Sequence, residues 1–108
     1  MKILFDQGTP APLRNALTNH EVATAFERGW QLLTNGDLLS AAERAGFDVL
    51  ITTDQNLRYQ QNLANRRLAV VVLSTTDWRR IRQYADLVAE AIASIKSGAY
   101  VELSIPPS

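Results

Sequence analysis

Short apolar runs alternate along this chain with segments whose apolar residues recur every three or four positions, a pattern that predicts strands and helices in turn. "KILF" (2–5) reads as a first strand. Pro10 and Pro12 stand where a first helical turn tolerates proline, ahead of "LRNAL". "HEVATA" (20–25) has the alternation of a second strand. Over 34–46, "TNGDLLSAAERAG", Thr34 or Asn35 caps a helix, Leu38, Leu39, Ala42 and Ala45 form its apolar stripe, and Gly46 stops it. "DVLIT" (48–52) is a third strand, followed by a short polar helix. "LAVVVL" (68–73) is apolar and β-branched without interruption, which implies burial on both faces. The longest helix spans 75–98, with Trp78, Ile81, Ala85, Val88, Ile92 and Ile95 on one face and Gly98 at its end. "AYVELSI" (99–105) is a last strand before Pro106 and Pro107.

Strands alternating with helices predict a single α/β domain over 1–108, with a mostly parallel sheet covered by helices on both faces. In such sheets the ligand crevice lies beyond the carboxyl ends of the strands, at a topological switch point. Asp6 follows the first strand and Asp54 the third, at the same end. If those strands are neighbours, both carboxylates face one crevice, where their mutual repulsion calls for a cation between them. Each acid taken alone equally well caps the turn after its strand.

Composition narrows the chemistry. The chain has no cysteine, which excludes a thiolate zinc site, and one histidine, His20, which disfavours any zinc cage, so a metal here is expected to be a hard cation held by oxygen. Eleven basic and eleven acidic residues cancel, so net charge makes no case for nucleic-acid binding. No stretch approaches the roughly 20 apolar residues of a membrane span, and the chain reads as soluble and cytoplasmic. Nine of the basic residues are arginine. Arg66 and Arg67, then Arg79, Arg80 and Arg82, form either a solvated face paired with Asp77 and Asp86 or a phosphate-binding patch. With Trp78 and Tyr84 the second group also has the makeup of a homodimer or partner surface.

Other candidates have plainer readings. Glu43 points away from Asp37 on the middle helix and reads as solvent-exposed, and His20 as a turn residue. Thr52 and Thr53 are strand formers whose hydroxyls could also orient a water beside a metal. Asn56, Arg58 and Gln61 open the polar helix and suit either phosphate contact or simple exposure, while Trp30 lies over the crevice or fills a hole. "DQGTP" lacks phosphate-loop spacing. A phosphoacceptor receiver domain would want an acidic pair after the first strand and a lysine near the last, and Lys2 and Lys96 are not placed for it.

The run "ILFDQGTPAPLRNAL", then "HEVATAFERGW", then "NGDLLSAAERAGFDVLITTDQNL", resembles the small PIN-like proteins of the DUF5615 group, relatives of the PIN-domain ribonucleases of toxin–antitoxin pairs. The resemblance covers about residues 1–75. It implies a compact α/β/α domain, a site for Mg²⁺ or Mn²⁺ at the strand ends, hydrolysis of RNA and a small antitoxin-like partner. Asp6 matches the family's first-strand acid and Asp54 the first acid of its T-x-D-x-D pattern, giving both a catalytic and metal-binding role by resemblance. The second acid of that pattern is Asn56 here, and the acid at the start of the middle helix is Asn35, with Asp37 two residues later as a substitute third ligand. Asn35, Asn56 and Arg58 are then left for substrate contact. Two readings follow: a metal-dependent ribonuclease, as the toxin half of such a pair, or a degenerate PIN-like domain that binds RNA or a protein without cutting.

Overall fold

The structure is a computed structural model that describes residues 1–57, 63 and 65–107. Five strands, β1 (Lys2–Phe5), β2 (Glu21–Thr24), β3 (Val49–Thr52), β4 (Ala69–Leu73) and β5 (Tyr100–Leu103), form one sheet in the order β2-β1-β3-β4-β5. All four neighbouring pairs are parallel. Successive strand side chains point to opposite faces, so each central strand feeds two cores. Ile3, Phe5, Val49, Ile51, Val71 and Leu73 face one side, where they meet Leu13, Leu17, Ile81, Val88 and Ile92. Leu4, Leu50, Val70 and Val72 face the other and meet Leu38, Leu39, Ala42, Phe47 and Leu57. The uninterrupted apolar run at 68–73 is thereby accounted for, since β4 is buried at every position.

The second face is covered by α1 (Asn35–Arg44). On the first lie a 3₁₀ helix (Ala11–Ala16), α2 (Trp78–Ile81) and α3 (Ala85–Ser94). The result is a three-layer α/β/α domain. Past α1, Gly46 adopts φ +84°, the left-handed geometry expected of its stop. The proline-led segment forms a 3₁₀ rather than an α-helix. Two prolines deny it backbone donors, and one short turn suffices to seat Leu13 and Leu17 on the sheet.

The single helix expected over 75–98 is instead broken. A 3₁₀ turn at Arg82–Tyr84 separates α2 from α3, and Ile95 is already extended. Gln83 Nε2 donates to the Arg79 carbonyl at 3.1 Å, the acceptor that a helical backbone N–H at 83 would use. The apolar face survives the break, with Ile81, Val88 and Ile92 buried and Trp78, Ala85 and Ile95 packed at its margin. The polar helix expected after β3, with Arg58 and Gln61, falls outside the described residues.

Two expectations about charge are corrected. Glu43 is not a free solvent-exposed acid: it binds Arg66 Nη1 at 2.6 Å and accepts the backbone N–H of Arg67 and Leu68. This knot ties the end of α1 to the entry of β4, two segments that the sequence separates by a strand. Arg80 is not part of an open arginine patch, since its guanidinium donates to the Ile105 and Pro106 carbonyls. Arg79 pairs loosely with Asp77, at 3.7 Å. Among the described residues no helix is long and apolar enough to cross a membrane.

What positions the site is the routing. The chain leaves β1 toward the face of Leu13 and β3 toward the face of Leu57, although the two strands are neighbours. Their carboxyl ends therefore bound the switch point, where diverging connections leave an opening.

Candidate functional site

Asp6 and Asp54 stand on that rim, one after β1 and the other two residues beyond the end of β3. The strand register pairs Phe5 with Ile51, and the Asp6 N–H extends the ladder to the Ile51 carbonyl at 3.2 Å. One side chain links the acids: the Thr52 hydroxyl donates to Asp6 Oδ2 and accepts the Asp54 N–H at 3.0 Å. Asp6 Oδ1 accepts the backbone N–H of Thr9 at 3.1 Å and the Thr9 hydroxyl at 2.8 Å. Thr9 and Thr52 are the buried polar residues of the described chain, at 4% and 2% exposure, and both are spent on Asp6.

Burial pushes the Asp6 pKa above the ordinary carboxylate range, against the pull of the Thr52 and Thr9 hydrogen bonds. Thr9 Oγ1 lies 2.8 Å from both Asp6 Oδ1 and the Ile51 carbonyl and has one proton to share between them. A cation at Asp6 would favour the ionised form instead.

Asp54 is held differently. Its Oδ2 accepts Asn35 Nδ2 at 2.9 Å and its Oδ1 the Asn56 N–H at 3.0 Å. Asn35, the first residue of α1, thus brings the helix end to β3 across the sheet rim. Among the described residues neither Asp6 nor Asp54 makes an ion pair. Gly8 closes the floor: a Cβ there would lie 2.3 Å from Thr53 Oγ1, so any larger residue would have to displace the hydroxyl just past β3.

Of the residues singled out in the sequence, the structure brings together Asp6, Asp54, Asn35, Thr52 and the backbone of Asn56. It does not bring Asp37 to them. Asp37 is exposed in the first turn of α1, where it accepts the Thr34 hydroxyl at 3.3 Å. Consistently, no group of three His, Asp or Glu residues able to hold a metal occurs among the described residues. His20 sits at the amino end of β2, its Nδ1 3.2 Å from the Met1 amino group, on the opposite rim. Trp30 packs edge-on against Phe47, with centroids 6.0 Å apart, and also lines a cleft beside Asp6. Arg58 lies outside the described residues.

Sequence reasoning missed Thr9. The signal was present, since an aspartate followed three residues later by threonine is a side-chain-capped turn. It also missed Arg14 and Glu27, 13 residues apart, which meet in a two-pronged pair at 2.6 and 3.2 Å.

Asp6 opens onto two clefts. The smaller, about 170 Å³, runs toward α1 and is lined by Trp30, Asn35 and Leu38. The larger, about 730 Å³, runs toward α2 and is lined by Gln7, Arg14, Phe26, Glu27 and Trp78 among others. Two carboxylates, with the Asn35 amide beside Asp54, suit one Mg²⁺ or Mn²⁺ that keeps several of its waters; they are too poor in charge for two. No protein-family model, curated protein or solved structure matches this chain.

Proposed function

We propose that the protein is a metal-dependent ribonuclease of the PIN-like type, serving as the toxin of a toxin–antitoxin pair. Asp6 and Asp54 would hold a single Mg²⁺ or Mn²⁺. The observation that carries this reading is a half-buried, upward-shifted carboxylate at the switch point, joined through Thr52 to a second acid, with no cationic partner among the described residues. A perturbed carboxylate in a cleft, held by specific partners, is a candidate functional group. When bound, the cation supplies charge to a scissile phosphate and acidifies the attacking water. The protein's part is to hold Asp6 through Thr9 and Thr52 and Asp54 through Asn35, so that both oxygens are in place before substrate arrives.

One observation favours a second reading, a domain that binds RNA or a protein without cutting it. Asn35 Nδ2 already satisfies one lone pair of Asp54, as a cation would. The two readings part on metal and on restored acids. Calorimetric titration with Mn²⁺ should show uptake by wild type that is lost in Asp6→Asn and Asp54→Asn. Single-stranded RNA should be cut slowly, at millimolar Mn²⁺, and not at all by Asp6→Ala. The double variant Asn35→Asp with Asn56→Asp should cut faster, because added charge holds the cation more firmly. No metal uptake by wild type, together with an inert restored variant that still binds RNA, would replace the nuclease with the binder.

A further inference from the structure

The larger cleft is not needed to hold a cation, yet it is the roomier of the two that begin at Asp6. Its volume, about 730 Å³, falls in the range of small-ligand sites. Two aromatic side chains line it, Phe26 and Trp78. Phe26 is 71% exposed, so its ring is open to a ligand in the cleft.

The exposure is built in. Glu27 Oε1 accepts the Thr24 N–H at 2.9 Å while Thr24 Oγ1 accepts the Glu27 N–H at 3.0 Å. The Gly29 N–H closes on the Phe26 carbonyl, the Trp30 N–H on Ala25, and Arg14 grips Glu27 from the 3₁₀ helix. Phe26 is thus presented by a turn that hydrogen bonds hold from both sides.

Charge decides what the cleft accepts. Besides Asp6, its charged lining groups are Arg14 and Glu27, and these are committed to each other. Among the described residues it therefore offers no open cation for a phosphate, and Asp6 repels a carboxylate. A neutral, flat group with a polar edge remains, to stack on Phe26 and Trp78 and to meet the side chains of Gln7, Thr24 and Thr76.

We propose that this cleft takes one unpaired nucleobase of an RNA strand, stacked on Phe26 and Trp78, beside the phosphate that Asp6 addresses. The inference rests on the ribonuclease reading for its choice of ligand. A protein partner on this face would also cover Leu32, the most exposed large apolar residue of the same loop, which does not line the cleft.

The test is binding of a labelled single-stranded hexauridylate, measured by fluorescence anisotropy in chelator, against an abasic strand with the same number of phosphates. Wild type should prefer the base-bearing strand by roughly five- to a hundredfold, the worth of one aromatic–base stack. Phe26→Ala should remove the preference, Phe26→Trp restore it, and Leu32→Ser leave it unchanged. Phe26 and Leu32 are exposed, so these variants should fold. Equal binding of the two strands, or a preference that survives Phe26→Ala, overturns the base site. If Asp6-dependent cleavage with Mn²⁺ persists in that case, the ribonuclease reading stands alone. A base preference without cleavage under any metal keeps the base site and removes the nuclease. Loss of self-association in both Phe26→Ala and Leu32→Ser, with RNA binding untouched, would make the face a protein contact and overturn the proposal.

Discussion

Replacing Thr52 with valine keeps the shape of a residue that is 2% exposed and removes the one hydroxyl that joins the two acids. Asp6 Oδ2 loses a donor, worth roughly 1.5–3 kcal/mol when the acceptor is charged, and the Asp54 N–H loses an acceptor, worth about 1 kcal/mol. Against this stand an added buried methyl, about 0.8 kcal/mol, and the slightly better strand propensity of valine. The net loss should be about 1.5–3 kcal/mol. In urea this lowers the midpoint by about 1–2 M at unchanged slope, for a slope near 1.5 kcal/mol per molar. Thr52→Ser, which keeps the hydroxyl, should cost only its methyl, about 1 kcal/mol. In an Asp6→Ala background the valine change should lose its larger part, leaving a coupling of about 1–2 kcal/mol between the two positions. A direct loss below about 0.5 kcal/mol, or one of the same size with and without Asp6, would refute the idea that Thr52 bridges the acids. Carboxyl NMR adds an independent check: without the Thr52 donor, Asp6 should titrate at still higher pH than in wild type.

Two further outcomes concern pH and the Glu43 knot. The folded-state pKa of Asp6 is raised, so its contribution to stability is fully present below the unfolded value and is lost as pH rises through the folded one. In chelator, urea melts of wild type should therefore lose ground to Asp6→Asn as pH rises from about 4 to 8, and a constant difference would contradict this. Burial raises the pKa of Glu43, but Arg66 and the N–H groups of Arg67 and Leu68 outweigh it and hold the carboxyl below its usual range. The stability Glu43 provides is present above its unfolded pKa and lost as pH falls through the folded one. Glu43→Ala should cost roughly 1.5–3 kcal/mol near neutrality, because it strands a largely covered guanidinium, and much less in acid. A loss that does not change with pH would count against the pair.

The sequence alone determined the elements that rest on local rules. Strands at 2–5, 48–52 and 68–73 were legible because they are short apolar runs, and α1 because its stripe and Gly46 agree, although Thr34 at its N-cap makes no side-chain capping bond. Placing Asp6 and Asp54 at one end of the sheet needed only the knowledge that parallel strands run the same way. What tertiary structure decided was adjacency. That β1 lies beside β3, that their connections leave on opposite faces, and that Thr52 can therefore touch Asp6 are consequences of packing 46 residues apart. No local pattern encodes such a distance. The same holds for Asp37 and Asn35. Both open α1 and differ by two positions, but two residues turn a helix through about 200°. Asn35 thus reaches Asp54 while Asp37 faces solvent. The break at Arg82–Tyr84 was hidden for the opposite reason: the apolar spacing from Ile81 to Ile92 continues through it, because the sheet needs only the face to persist and does not require an unbroken backbone.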